Sequence, residues 1–249
     1  PYLITRRVDN PIKPNFIARA AYSNASYVAC LSRAIEARVA ELEPKTNRVI
    51  IPSSFSGFRQ APSEVSAIRA RHPEKFLVGQ VGSLLRHKGQ HVTIEVARHI
   101  ARELPQIHFL LLGDGPEREA LEAAGKKLPN ISLLGHQSNI GPYFAAFDLF
   151  IFPSLNEGLG SSILEAMQAG TPVLASRTGG IPDLIEHGQN GWLVSPGNAT
   201  ELAKAIAYLY HHPEYRQQLA AHASKGLGRY APTAVASRYL DLYRAVASQ

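Results

Sequence analysis

The amino-acid sequence predicts an α/β fold built on a doubly wound parallel sheet, and two observations indicate it. From Phe76 onward, short apolar runs alternate with helical stretches, which is the pattern of a parallel sheet with helices on both faces. The runs are almost continuously apolar, as expected of strands that are buried on both faces. The 249 residues, 45% hydrophobic and 18% charged, are enough for one large domain or for one domain and part of another.

The predicted strands of this sheet cover residues 76–82, 107–113, 131–135, 149–153, 172–176 and 191–194. Between the first two, residues 90–104 place an apolar stripe on one face of a helix that Pro105 ends. Shorter helices are predicted at residues 117–127, 140–147, 162–169 and 180–187. After residue 194 the pattern is helical only, with Asn198 and Glu201 typical of a capping box and with Pro213 and Pro232 opening two further helices. The last helix carries an apolar stripe that needs a partner surface.

The first 56 residues repeat the pattern on a smaller scale, with helices at 15–22 and 33–42 and strands at 27–31 and 48–52. Two strands and two helices leave a sheet edge unpaired. We therefore interpret residues 1–56 as the trailing segment of another α/β domain, and the start at Pro1 without Met fits a processed product or a piece of a longer protein. A linker is predicted at residues 57–62, a ligand-binding domain at 63–230 and a separate final helix at 231–249.

Composition and charge exclude several classes of protein. No apolar stretch approaches the roughly 18 residues needed to cross a bilayer, no secretory leader pattern occurs, and the single Cys30 cannot form an internal disulfide, so we expect a cytoplasmic protein.

The positive charge is concentrated at the start of the chain. Residues 1–60 carry nine Lys/Arg against four Asp/Glu, which is most of the net charge of +6. Such an excess is typical of contact with anionic lipid headgroups or phosphate-bearing substrates, or of a solvated basic surface. No nucleic acid partner is expected, because no nucleic-acid-binding motif is present.

The strongest chemical signal lies in residues 153–167, where a buried strand is followed by a loop with two glycines and a helix that begins near Ser161 or Ser162 as its cap. Ligands of open parallel sheets bind at the carboxyl ends of strands, where N–H groups of the loop and of the first helical turn attract anions. Carboxylates beside such a site cannot bind phosphate, so we expect Glu157 and Glu165 to accept hydrogen bonds from hydroxyls. The segment predicts a nucleotide sugar as ligand; the alternative is a capped turn with surface glutamates.

Two other strand-to-helix loops give weaker signals. Lys88 offers a point charge suited to a diphosphate, although a solvated lysine is the simpler interpretation. Gly113-Asp114-Gly115 is only part of a dinucleotide fingerprint, because Arg118 stands where a glycine is required, and a tight turn is favoured over a wall of the nucleotide pocket. The sequence contains no Asp-x-Asp, H-E-x-x-H, paired-cysteine or G-x-S-x-G pattern. We therefore expect no metal and no cofactor, the nucleotide sugar being a donor substrate.

An ordered series of motifs runs through residues 82–191: Gly82, Lys88-Gly89, Gly113-Asp114-Gly115-Pro116, Asp148, Pro153-Ser154, Glu157 and Glu165 at E-x7-E spacing, residues 169–173, residues 179–183, and Gly188 with Asn190-Gly191. In this order they resemble the donor-binding, C-terminal half of retaining GT-B glycosyltransferases of glycosyltransferase family 4. Residues 1–56, which include Thr5-Arg6-Arg7-Val8-Asp9, resemble the closing part of the acceptor-side domain. In this fold the final helix crosses back onto that domain.

The resemblance implies transfer of a sugar from a nucleotide-diphosphate sugar with retention, without metal, by a front-face attack in which the departing phosphate helps take the acceptor proton. It implies that Glu165 binds the ribose, Glu157 the sugar hydroxyls and Lys88 the diphosphate, with Glu157 and Lys88 as the catalytic candidates. The implied donor-binding residues are Gly82, Ser83, Arg86, Lys88, Gly135, His136, Ile140, Glu157, Gly158, Leu159, Gly160, Ser161, Ser162 and Glu165. The nucleobase is expected near Gly135, His136 and Ile140.

The sequence departs from the family pattern in two respects. Many members have Arg where this chain has Ser83, which leaves Arg86 as the alternative charge, and most of the acceptor-side domain lies outside the chain. The Arg6-Arg7 segment resembles that of envelope-polymer transferases, and together with the basic excess this resemblance implies a glycan or lipid-linked acceptor of the cell envelope, such as lipopolysaccharide, and peripheral contact at the inner face of the membrane. The alternatives are a noncatalytic nucleotide-sugar-binding module and a GT-B-fold nucleotide-sugar epimerase.

Overall fold

The computed structural model describes residues 1–248, which form a small and a large parallel β-sheet with helices packed around them. The large sheet consists of β4 (Phe76–Val81), β5 (Ile107–Leu112), β6 (Ile131–Gly135), β7 (Leu149–Phe152), β8 (Val173–Ser176) and β9 (Trp192–Val194). Every pairing is parallel, and the spatial order is β6-β5-β4-β7-β8-β9. This confirms the doubly wound sheet, and each strand lies within one residue of its predicted bounds.

Helices cover both faces of the large sheet. They are α3 (Pro62–Ala70), α4 (Gln90–Ile100), α5 (Arg118–Gly125), α6 (Gly141–Ala146), α7 (Ser161–Gln168), α8 (Ala199–His211), α9 (Pro213–Lys225) and α10 (Pro232–Ala247). One face buries apolar side chains of α6 and α7 against the strands, and the other buries those of α4 and α8. Within residues 1–248 no helix is long and apolar enough to cross a membrane.

The small sheet consists of β1 (Leu3–Arg6), β2 (Tyr27–Cys30) and β3 (Arg48–Ile50), with α1 (Phe16–Ser23) and α2 (Arg33–Leu42) between the strands. Strand β1 was not predicted, because its four residues include an exposed polar position and a partly buried arginine. Helix α10 packs on this sheet, where Val235 and Leu242 form an apolar cluster with Ala29 and Ile51. The last helix of the chain therefore completes the core of its first segment.

Two helix assignments from the sequence differ from the structure. The helix predicted at residues 180–187 is wrong: only a 3₁₀ turn, Ile181–Asp183, forms there. The Asn190 side chain accepts from the Glu186 N–H and donates to the Leu184 carbonyl, so a closed turn competes with further helical bonds. Conversely, α3 was not predicted, because its start has no side-chain cap and it buries only Ile68.

Two histidines at the amino-terminal side of the large sheet give the fold a dependence on pH. The ring of His108 in β5 lies 4.7 Å from the ring of His72, and its Nε2 lies 2.9 Å from the Ser132 Oγ. Burial lowers the pKa of His108 to about 4, with smaller contributions from the nearby His72 and Lys75 charges, and burial also lowers the pKa of His72. Both rings are thus held neutral in the folded chain.

We expect the contribution of these histidines to the free energy of unfolding to be complete above about pH 6.5. It should fall by about 1–2 kcal/mol as the pH drops toward 4, because the unfolded chain then binds more protons than the folded chain. Urea unfolding at about pH 7.5 and about pH 5 measures this loss. His108→Gln should remove most of it, whereas exposed His99→Gln should leave it in place. Equal pH dependence in His108→Gln and the wild type would contradict this account.

Candidate functional site

The order of strands in the large sheet reverses between β4 and β7, and this opens a crevice at their carboxyl ends. Residues 82–89 follow β4 and residues 153–160 follow β7, so the two loops with the strongest chemical signals lie side by side. The Leu155 N–H donates to the His87 carbonyl at 2.7 Å. A Cβ on Gly89 would lie 2.0 Å from the Pro153 carbonyl oxygen, and Gly89 has the left-handed φ of 75°. The two loops are therefore packed backbone to backbone.

An ion pair joins the two loops. The Lys88 Nζ lies 2.5 Å from the Glu157 Oε2, and these side chains are only 21% and 13% exposed. The same Nζ lies 5.5 Å from the centre of the Phe152 ring. The partly buried pair holds one positive and one negative group at the mouth of the crevice, and a more strongly charged anion could compete with Glu157 for the lysine.

Glu165 lies in the second turn of α7, the helix that begins where the loop after β7 ends, and is 6% exposed. Its Oε1 accepts a hydrogen bond from the Ser56 N–H. Its Oε2 is buried and has no hydrogen-bond partner within residues 1–248, and the same is true of the Ser154 Oγ. Buried polar atoms are nearly always hydrogen-bonded. The Glu165 Oε2 is therefore suited to accept a hydrogen bond from a hydroxyl donor brought by a ligand.

The first turn of α7 supplies N–H groups to this crevice. The sequence assigned the cap to Ser161 or Ser162, but this is wrong: the N-cap is Gly160, which has a φ of 90° and provides no capping side chain. A left-handed conformation at this position suits glycine. Because no side chain caps the helix, its first N–H groups are available to an anion.

A third segment, residues 177–181, supports the loop after β7 from behind. The Gly180 N–H donates to the Glu157 carbonyl at 3.0 Å, and the Thr178 Oγ1 donates to the Leu155 carbonyl at 3.2 Å. A Cβ on Gly179 would lie 1.8 Å from the Glu157 carbonyl oxygen. The backbone position of Glu157 is thus fixed by main-chain contacts.

The small sheet borders the same loop. A Cβ on Gly158 would lie 3.1 Å from the Arg7 carbonyl oxygen, and the Asp183 carboxylate accepts from the Arg33 N–H at 2.6 Å. With the Ser56 contact to Glu165, these interactions bring residues 1–56 against the crevice. The sequence analysis did not identify Ser56, because a backbone N–H leaves no signal in the residue type.

A cavity of about 260 Å³ adjoins the crevice at the ends of β4, β5 and β6. Four predicted residues line it, namely Gly82, Ser83, His136 and Ile140, together with Asp114 and Gln137. Gly135 ends β6 beside the Arg118 guanidinium, which forms salt bridges of 2.8 Å with Asp114 and Glu122. A backbone hydrogen bond from Gly115 lowers the pKa of Asp114.

Arg86 is exposed in the 3₁₀ turn Arg86–Lys88 and forms no salt bridge within residues 1–248. Leu159 is buried and lies in the loop between Gly158 and Gly160.

In the described part of the chain, no group of three His, Cys, Asp or Glu side chains could hold a metal ion. Of the predicted residues, the structure pairs Lys88 with Glu157 and brings Gly82, Ser83, His136 and Ile140 to one cavity, with Gly135 just outside its lining.

Comparison with known proteins gives consistent results. Residues 63–226 match the family model described as "Glycosyl transferases group 1". The lipopolysaccharide core biosynthesis glycosyltransferase LpsE of Rhizobium meliloti (strain 1021) is 30% identical over 245 residues, which cover 97% of this chain and 69% of LpsE. LpsD of the same organism, which carries the same description, is 31% identical over 226 residues, covering 89% of this chain and 64% of LpsD. The chain thus spans about two thirds of the length of these relatives.

Solved structures agree with the fold. HepE of Anabaena, in complex with UDP and glucose, matches with a TM-score of 0.84 at 25% identity, covering 100% of this chain and 72% of HepE. Sucrose-phosphate synthase of Thermosynechococcus elongatus matches with a TM-score of 0.84 at 22% identity, covering 99% of this chain and 68% of that protein. These matches confirm the α/β architecture.

The glycine contacts behind the loop after β7 can be tested directly. Gly179→Ala should lower the free energy of unfolding by about 2–4 kcal/mol, because the residue has a left-handed φ of 52° and its Cβ would collide with the Glu157 carbonyl. Gly228→Ala is the matched control, since nothing lies within 4 Å of its Cβ position. Urea unfolding of both variants measures the difference, and equal stability would show that residues 177–181 do not constrain the loop.

Proposed function

The chain belongs to the group 1 glycosyl transferases, and from this premise we propose that its crevice binds a nucleotide-diphosphate sugar as the donor of a retaining family 4 glycosyltransferase with the GT-B fold. The observation that carries the proposal is the buried Glu165 Oε2, which lacks a partner within residues 1–248 and lies beside an uncapped helix start. One ligand that carries both hydroxyls and phosphates satisfies both features. UDP is the proposed nucleotide, because HepE was solved with UDP and with UDP-glucose.

Each part of the donor has a proposed place. The diphosphate lies against the N–H groups of residues 158–162 and Lys88, with Arg86 as a second cation. The ribose hydroxyls donate to Glu165, the sugar hydroxyls donate to Glu157, and the base enters the cavity lined by Ser83, His136 and Ile140 with Gly135 at its edge.

The same proposal divides the chain into parts. Residues 63–230 form the donor domain and residues 57–62 the linker. Residues 1–56 form part of the acceptor-side domain, and the segment 231–249 belongs with that part.

The proposed reaction needs no metal. As the bond between the sugar C1 and the phosphate oxygen breaks, negative charge grows on the diphosphate, where Lys88 and the start of α7 stabilise it. The acceptor oxygen forms its bond to C1 on the same face, and the departing phosphate takes the acceptor proton. A noncatalytic binding module and an epimerase are not favoured, because the relatives are named as transferases.

We expect calorimetric titration of this chain to show UDP binding in preference to GDP and ADP. Glu165→Gln should weaken UDP binding about 10- to 100-fold, because a charged hydrogen-bond acceptor for the ribose is lost while an amide oxygen still serves the Ser56 N–H. Glu157→Gln should weaken the binding of UDP-glucose but not of UDP. Exposed Glu214→Gln is the control. If Glu165→Gln binds UDP as tightly as the wild type does, the ribose assignment is wrong.

We also propose a cell-envelope acceptor and peripheral membrane contact, supported by the names of LpsE and LpsD and by one surface feature. In the first turn of α1, Phe16 and Ile17 are 85% and 78% exposed, and exposed Lys13 precedes them. Arg6 and Arg19 are instead held by internal hydrogen bonds, Arg6 to the Tyr22 hydroxyl and Arg19 to the Leu42 carbonyl. The apolar pair and the lysine form the proposed contact with an anionic lipid surface.

Co-sedimentation with phosphatidylglycerol vesicles tests this contact. The wild-type chain should bind, and the double substitution Phe16→Ser and Ile17→Ser should reduce the bound fraction severalfold, because the apolar wedge is lost. Leu240→Ser, at another exposed apolar position, is the control. Equal binding of the double variant and the wild type would exclude α1 as the contact.

A further inference from the structure

A groove of about 460 Å³ lies apart from the nucleotide crevice, between β9 and α8. Strand β9 pairs only with β8 and forms one edge of the large sheet. The groove is lined by Arg177 after β8, by Trp192 of β9, and by Lys204 and Tyr208 of α8. The proposed donor function uses none of these side chains.

Aromatic rings form one wall of the groove. The ring centres of Trp192 and Tyr208 are 5.2 Å apart and the rings are tilted by 42°. Tyr208 is 41% exposed, and His212 stacks on its ring at 4.0 Å, which holds the ring in place. A partly exposed aromatic ring next to polar groups suits a pyranose sugar, because the C–H face of the sugar packs on the ring while its hydroxyls reach hydrogen-bonding partners.

Polar groups on the other walls favour an acidic sugar. Arg177 and Lys204 are exposed, and within residues 1–248 neither forms a salt bridge. The His187 Nδ1 accepts from the Leu193 N–H at 3.0 Å, so the neutral ring carries its proton on Nε2 and is a hydrogen-bond donor. The acidic residue of the lining, Glu201, has its Oε2 bonded to the Ser195 N–H at 3.0 Å. The groove therefore presents two cationic side chains and one imidazole N–H donor, while its one carboxylate is already hydrogen-bonded to the main chain.

We propose that this groove is a second carbohydrate site, which binds an acidic oligosaccharide away from the donor crevice. Arg177 begins the segment that supports the loop after β7 through Thr178 and Gly180. A glycan held in the groove thus contacts the start of the segment that positions Glu157. The site goes beyond donor binding and does not require that the nucleotide assignment be correct.

The sequence contains a single tryptophan, so Trp192 fluorescence reports directly on this groove. Titration of the chain with an oligogalacturonate should give a saturable change in emission, and a maltooligosaccharide should bind about tenfold more weakly or worse, because it lacks the carboxylates. The double variant R177Q/K204Q should bind the oligogalacturonate at least about tenfold more weakly. Lys126→Gln, an exposed lysine elsewhere on the surface, is the matched control.

Any of three results would overturn the proposal: no saturable change with the oligogalacturonate, equal affinity for the maltooligosaccharide, or undiminished binding by R177Q/K204Q. Calorimetric titration of R177Q/K204Q with UDP separates the two proposals. UDP binding equal to that of the wild type is expected, since the bonds from residues 177–181 to the loop after β7 come from Thr178 and Gly180 and not from the Arg177 side chain, and Lys204 lies on α8. Failure of UDP binding in the wild-type chain would count against the donor site and leave the fluorescence result standing.

Discussion

The close packing of main chain against main chain around residues 153–160 is the constraint on which the rest of the site depends. Gly89 allows the loop after β4 to reach the Pro153 carbonyl, and Gly179 and Gly180 allow residues 177–181 to reach the carbonyls of Glu157 and Gly158. No side chain separates these segments. The backbone position of Glu157 and the start of α7 therefore follow from main-chain packing and not from side-chain rotamers.

The two glutamates of the loop and helix are held in different ways, although they differ by only eight positions in the sequence. Glu157 is paired with a lysine across the crevice, and the pair can exchange partners when an anion arrives. Glu165 is buried, with one oxygen bonded to the backbone of Ser56 and the other without a partner within residues 1–248. The first carboxylate can respond to a ligand, whereas the second is already in position.

The sequence predicted the large sheet well because strands buried on both faces leave continuous apolar runs. The carboxyl ends of those strands then indicated where a candidate site lies. The 3₁₀ turn at Ile181–Asp183 was taken for a helix, since the competing side-chain bonds of Asn190 cannot be read from periodicity. Helix α3 was missed because it has only a short buried stripe. The Ser56 contact to Glu165 joins residues 109 positions apart through a backbone group, and local sequence contains no information on such a pairing.

The packing of α10 on the small sheet has a consequence for how the chain folds during its synthesis. Ala29 and Ile51 are synthesised well before Val235 and Leu242, which cover them in the folded chain. The apolar face of the first segment is thus exposed while almost all of the large sheet is being synthesised and folded. A nascent chain that stops short of residue 232 would carry an uncovered apolar surface on the small sheet, and such a surface favours aggregation.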